Sequence, residues 1–294
     1  MRNSGLKPYV HKIKGAKYYA LYDILNGNFF QVLPEGNAEQ LRENLMEAGL
    51  IFETDGIIPF KVEPDLYEEL NNVQIRELQI KLNGKKEDTC WQRNDISIDY
   101  NVMGDDIIES LEKNLMHLHV KKIRIETDHL EPSKIEKILS RFKCRVFDLY
   151  ARQGIEREIL ENVRKISQDC NSHLTIHDEI KMPISELKVE LFHFFYSQHF
   201  NPCFGHQVAI DTGGEIKPCL WSGEVLGNIK SDNLKDMVIS GIFDKYWEMT
   251  KNKIEVCKDC EKRYACNDCR VAAAAKTGNQ YAKPPYCEYD PFNG

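Results

Sequence analysis

Cysteine spacing constrains this chain more than anything else in it. Seven of its ten cysteines fall in the last 92 residues, as Cys203, Cys219, Cys257, Cys260, Cys266, Cys269 and Cys287. Ten residues and then Gly214 follow Cys203, and four residues separate that glycine from Cys219. After a gap of 37 residues comes the run Cys257-x2-Cys260-x5-Cys266-x2-Cys269, and after another 17 residues Cys287. A Cys-x2-Cys pair lets two thiolates reach one metal centre while the intervening amides face the sulfurs. Residues 200–294 hold few apolar runs, so the segment cannot build a core without a staple, and the thiols supply one.

These thiols read as ligands rather than disulfides. Residues 1–17 are basic and carry no apolar h-region, so no signal peptide is expected. No stretch reaches the ~20 apolar residues of a membrane span. The expected location is cytoplasmic, where clustered thiols stay reduced and bind metals. Seven ligands suit two 4Fe-4S clusters better than zinc. Zinc closes with four ligands, which leaves three cysteines over, and the five-residue gap is shorter than zinc-ribbon spacing. A zinc-stapled protein stays open as an alternative. Gly213-Gly214 between β-rich residues 207–211 and 215–219 predicts a hairpin that gathers Cys203 and Cys219. Cys90, Cys144 and Cys170 are scattered, and the last two read as small buried or surface residues. A net charge of −7 argues against a nucleic-acid partner held by phosphate electrostatics.

The pattern upstream predicts an α/β chain in three parts. Residues 1–70 read as a winged-helix-like module. Apolar runs flank Asn26-Gly27-Asn28 as a hairpin, a helix covers 38–48 with Leu41, Leu45 and Met46 on one face and Gly49 as its stop, and a second hairpin turns at Asp55-Gly56. Residues 73–199 alternate strands (75–82, 122–127, 144–151, 173–177) with helices (105–118, 132–142, 155–167), which implies parallel βαβ units. A complete eight-fold barrel needs ~250 residues, so this is at most a partial barrel or an open sheet. Residues 200–294 are loop-rich with one short helix pattern over 234–250.

At the cysteines the chain resembles the SPASM domain of radical SAM peptide-modifying enzymes. The resemblance is carried by the ligand spacing, by Gly214, and by the Cys219-Leu220 and Gly227-Asn228-Ile229 runs. The segment Cys260 to Arg270 resembles the peptide maturases of grasp-with-spasm systems. The resemblance implies that Cys257, Cys260, Cys266 and Cys287 hold one auxiliary cluster. It assigns Cys203, Cys219 and Cys269 to the other, with His199 or His206 as candidates for its missing ligand. It further implies a ribosomal precursor peptide and an ATP-grasp ligase as partners. In its light residues 1–70 resemble leader-recognition modules, which add a peptide as a strand to a sheet edge.

Two departures bear on activity. Radical SAM chemistry needs three closely spaced cysteines after the first barrel strand, and only Cys90 stands there. The Gly-Gly-Glu-Pro run of such proteins corresponds to His129-Leu130-Glu131-Pro132, with both glycines replaced by bulky residues. The expectation is a degenerate barrel without S-adenosylmethionine chemistry and with no assigned catalytic residue. A redox enzyme passing electrons through its auxiliary clusters is the other alternative.

Overall fold

The computed structural model describes residues 3–33, 38–54, 75–81, 83–84, 101–116, 118, 120–127, 132–141, 146–151, 157–169, 173–177 and 187–294. The architecture is mixed α/β. The chain divides into two compact units, each assembled from separated stretches: Met1–Tyr67 with Pro183–Cys203 and Met249–Gly294, and Glu68–Met182 with Phe204–Glu248.

The first unit holds strands β1 (Asn3–Leu6), β2 (Val10–Lys14), β3 (Tyr19–Asp23), β4 (Asn28–Val32) and β5 (Ile51–Thr54). Strands β2, β3 and β4 form an antiparallel sheet with β3 central, and β1 pairs antiparallel with β5. The expected turn between β3 and β4 is present. Gly27 takes φ 74, which a side chain resists, and the Asp23 carboxylate accepts from the Asn26 amide at 3.1 Å. Helix Ala38–Glu47 stops at Gly49, φ 68, where the Leu50 amide returns to the Leu45 carbonyl. Leu45 packs on the core of Val10, Leu21 and Leu50 with Phe30 and Val32. Met46, expected on that same face, is instead exposed.

Strand β3 does not alternate, because both of its faces are covered. Leu21 enters the core just described. Tyr22 meets Phe194 of helix Leu191–His199 at 5.0 Å and donates its hydroxyl to the Glu261 carbonyl at 2.7 Å. Phe194 also packs edge-on against Tyr264. The N-terminal sheet therefore shares a core with the segment that carries the Cys-x2-Cys pairs.

The second unit holds β6 (Ile75–Lys81), β7 (Asn83–Gly84), β8 (Asn101–Val102), β9 (Val120–Thr127), β10 (Val146–Ala151), β11 (His173–His177), β12 (Gln207–Ile210), β13 (Glu215–Lys217) and β14 (Gly227–Asn228). Seven of these form one sheet in the order β11-β10-β9-β6-β12-β13-β14. The first five are parallel and the last two join antiparallel. Helices Asp105–Leu115, Pro132–Arg141 and Arg157–Asp169 lie between the parallel strands in sequence, as the period predicts. Their apolar faces (Ile107, Ile108, Leu111; Ile135, Ile138, Leu139; Val163) are sealed, as are Ile123, Ile125, Phe147 and Leu149 of the sheet. The helix expected over 234–250 is broken into Leu234–Ile239 and Asp244–Trp247, because Gly241 turns the chain at φ 74. Asp55-Gly56, Cys90, His129-Leu130-Glu131, Cys144 and Cys170 lie outside the described residues. Among the described residues no helix is long and apolar enough to cross a membrane.

Candidate metal centre

Six of the seven cysteines belong to the first unit, and five of them, Cys257, Cys260, Cys266, Cys269 and Cys287, lie on a stretch that folds back on itself. Cys257 opens a 3-10 turn, Cys257–Asp259, entered through Val256 at φ 65, ψ −43. The Cys257 amide donates to the Glu255 carbonyl at 2.7 Å, closing a three-residue turn of a rare, strained kind. A β-branched residue with positive φ costs on the order of 1–3 kcal/mol, and such strain concentrates at sites where geometry matters. Cys260 follows, its amide bonded to the Cys257 carbonyl at 3.0 Å. Cys266 sits in an antiparallel bridge with Leu187.

Cys269 caps helix Arg270–Thr277, its sulfur accepting from the Ala272 amide at 3.4 Å, while its own amide donates to the Tyr286 hydroxyl at 2.6 Å. After that helix, Gly278 reverses the chain at φ 73. The Arg270 guanidinium donates to the Gln280 and Ala282 carbonyls at 2.8 and 2.9 Å. The Glu255 amide binds the Tyr281 carbonyl at 2.9 Å. These bonds bring Cys287 back to the Cys-x2-Cys pairs.

Electrostatics records the gathering. Cys260 lies in the field of Cys266 and Cys257, and Cys266 in that of Cys287. Burial pushes the Cys257 thiol up to about 11 and Cys260 to about 12, and raises Cys266 as well, with Lys251 opposing at Cys257 and Cys266. Without a metal these thiols are therefore neutral at pH 7, and ligation has to release their protons.

Beside them lies a buried ionic network. Lys251 and Asp268 are each 1% exposed and Arg270 0%. Lys251 Nζ stands 2.6 Å from Asp268 Oδ1, and Arg270 pairs with the other oxygen of that carboxylate. Two cations against one carboxylate leave an uncompensated positive charge, which burial makes costly. The donor set thus fits an anionic metal–thiolate group: Cys257, Cys260 and Cys266 feel one another, Cys287 is felt by Cys266, and a buried wall of net positive charge adjoins them. Thiolate ligands of this kind suit iron–sulfur clusters or zinc. Among the described residues, no group of three or more His, Cys, Asp or Glu side chains is gathered so as to hold a single ion.

The remaining expected ligands are placed as follows. The Cys203 amide donates to Asn201 Oδ1 at 2.9 Å, and Cys203 belongs, like Cys269, to the first unit. Cys219 is buried and belongs to the second unit, just beyond β13. The expected hairpin forms from β12 and β13, with Gly214 at φ 81. His199 ends helix Leu191–His199, and His206, at φ 51, stacks on Trp247 at 4.8 Å. Sequence reasoning passed over Lys251, Asp268 and Arg270. Two of them flank Cys269, but charged side chains carry no mark of burial in a sequence.

Residues 203–261 match SPASM, an iron–sulfur cluster-binding domain. No curated protein matches the chain. Among solved structures the chain is similar to BtrN in an open conformation, at 13% identity and a TM-score of 0.38, over 63% of this chain and 92% of that one. It is also similar to anSMEcpe with bound AdoMet and Cp18Cys peptide, at 13% identity and a TM-score of 0.40, over 73% of this chain and 94% of that one.

Proposed function

We propose that this chain is a two-cluster iron–sulfur protein of ribosomal peptide maturation that binds a precursor peptide and works beside an ATP-grasp ligase. The observation that carries the iron–sulfur part is the SPASM match over residues 203–261, supported by Cys257, Cys260, Cys266 and Cys287 on one folded-back stretch beside a buried net positive charge. In this reading these four residues hold one 4Fe-4S cluster, and Cys203, Cys219 and Cys269 contribute to another. Such clusters supply one-electron transfer when bound and otherwise tie the chain together.

The protein's own residues half-bury the thiols of Cys257, Cys260, Cys266 and Cys287, fix the Cys257 backbone and set the local charge. The parallel strands β6, β9, β10 and β11 support the reading of 73–199 as a degenerate partial barrel. Among the described residues β4 is an edge of its sheet, which supports strand addition of an extended peptide at residues 1–70, read as a winged-helix-like recognition module.

The test is metal analysis of the full chain purified without oxygen. About eight irons with matching sulfide are expected. Stoichiometric zinc with negligible iron would establish the second reading, which the four-thiol set also permits. For the peptide, calorimetric titration of the full chain with precursor from the same gene cluster should give binding that Leu41→Glu weakens at least tenfold. Equal affinity in that variant removes the recognition site from this sheet and helix.

A further inference from the structure

The network of Lys251, Asp268 and Arg270 is unevenly satisfied. Arg270 donates to Asp268 and to two carbonyls. Lys251 has no such set: its ammonium stands 2.6 Å from Asp268 Oδ1, and among the described residues no second acceptor takes its protons. A sealed ammonium in this position costs several kcal/mol unless an anion faces it. Asp268 is shared with Arg270 and cannot balance both cations. Lys251 opens a 3-10 turn, Lys251–Lys253, that packs against the Cys257–Asp259 turn, and once Cys257 and Cys266 are ionised their field favours its charge.

We infer that Lys251 is the counter-charge of the metal–sulfur group held by Cys257, Cys260, Cys266 and Cys287, and that its fixed positive charge raises the reduction potential of that group. The inference rests on the iron–sulfur reading above. Adding an electron makes the group more negative, so a buried cation stabilises the reduced form more than the oxidised one. Asp268 acts in the opposite sense. Lys251 is thus a positioning and tuning residue.

The experiment is a redox titration of the anaerobic full chain followed by electron paramagnetic resonance, with iron and sulfide measured on each sample. The relevant signal is the one that Cys260→Ser removes. Lys251→Met is expected to disfavour reduction about tenfold, which is 59 mV more negative for one electron, at unchanged iron content. Lys251→Arg keeps the charge and should restore the parent potential. Asp268→Asn removes the opposing charge and should shift it the other way. Opposite shifts from two members of one ion network are not what mere loosening of the fold produces.

An unmoved potential in an iron-replete Lys251→Met protein overturns this inference and leaves the cluster reading intact. If Lys251→Met does not fold, the sign of the Asp268→Asn shift decides. If neither variant accumulates, the network is a fold element and the inference falls. Zinc without iron in the parent removes both the inference and the reading beneath it.

Discussion

Gly15 is where the N-terminal sheet comes closest to the ligand segment, and replacing it gives a sharp test of their union. A Cβ at this position would stand 2.8 Å from the Glu261 amide nitrogen, 2.9 Å from its Cβ and 2.7 Å from Oε2. The backbone nitrogen cannot rotate aside. The carboxylate is also pinned, since Gln31 and the Tyr289 hydroxyl donate to its other oxygen at 2.7 and 2.6 Å. Gly15→Ala must therefore push the β2–β3 turn away from residues 259–261. That movement strains the Ala16 amide to Asp259 carbonyl bond (2.7 Å) and the Tyr22 hydroxyl to Glu261 carbonyl bond (2.7 Å). Overpacking alone costs about 1–3 kcal/mol, and each weakened bond about 1 kcal/mol. A loss of about 3 kcal/mol corresponds to a Tm lower by about 10 °C in a unit of this size. The assay is thermal unfolding of the anaerobic full chain, with chelator-driven iron release measured in parallel; release should quicken because Glu261 adjoins Cys260. Gly223→Ala is the control, since a Cβ there meets nothing within 4 Å. A Gly15→Ala protein within about 2 °C of the parent would refute the argument.

Val256→Gly should relieve the strained turn before Cys257 and stabilise the metal-stripped chain by about 1 kcal/mol, the strain released less the entropy that glycine loses. Chemical denaturation of stripped protein checks it, and a less stable variant would count against stored strain. In the second unit, burial pushes Asp211 up, but Lys217 and the Glu215 amide outweigh it and hold the carboxyl below its usual range. Burial pulls Lys217 down, and its pairs with Asp211 and Glu215 more than compensate. The Asp211 contribution is thus present above its unfolded value near 4 and lost as pH falls through its lower folded value; the Lys217 contribution is present below about 10.4 and lost at still higher pH. Asp211→Ala, which also strips the Gly213 and Glu215 amides of their acceptor, should cost about 2 kcal/mol at pH 7, and urea melts should show that deficit shrinking below pH 4. With S-adenosylmethionine and a reductant, the full chain should yield no 5′-deoxyadenosine above a buffer control; clear turnover would mean that the reading built on Cys90 and His129-Leu130 fails.

Elements whose burial follows a single face were legible in the sequence, and elements whose burial depends on a distant partner were not. Helix Asp105–Leu115 announces itself through Ile107, Ile108, Leu111 and Leu115, all buried. Helix Arg270–Thr277 does not, because Ala272 to Ala275 give no contrast between faces, although Gly278 marks its end. Strand β1, Asn-Ser-Gly-Leu, has no strand pattern, and its partner β5 lies far along the chain. At the site, thiol spacing is local information and marks the candidate ligands. The charge balance at Lys251 and Asp268 needs burial, and burial is known only once the chain has closed.

The same contrast explains how a segment poor in apolar runs holds a shape. The sequence alone leaves residues 249–294 nothing but their thiols. The structure adds Phe194, whose ring meets Tyr22, Phe195 and Tyr264, and the sealed Ala265, Ala272 and Ala273. Apolar cover on that side, and the Tyr22 bond to the Glu261 carbonyl, hold the backbone next to Cys260 by contacts that do not involve its thiol. In the proposed reading, ligation then has to remove thiol protons rather than order the whole segment from a coil. A centre organised in this way can lose its metal and keep much of its fold, so stability and metal content report on different parts of the same unit.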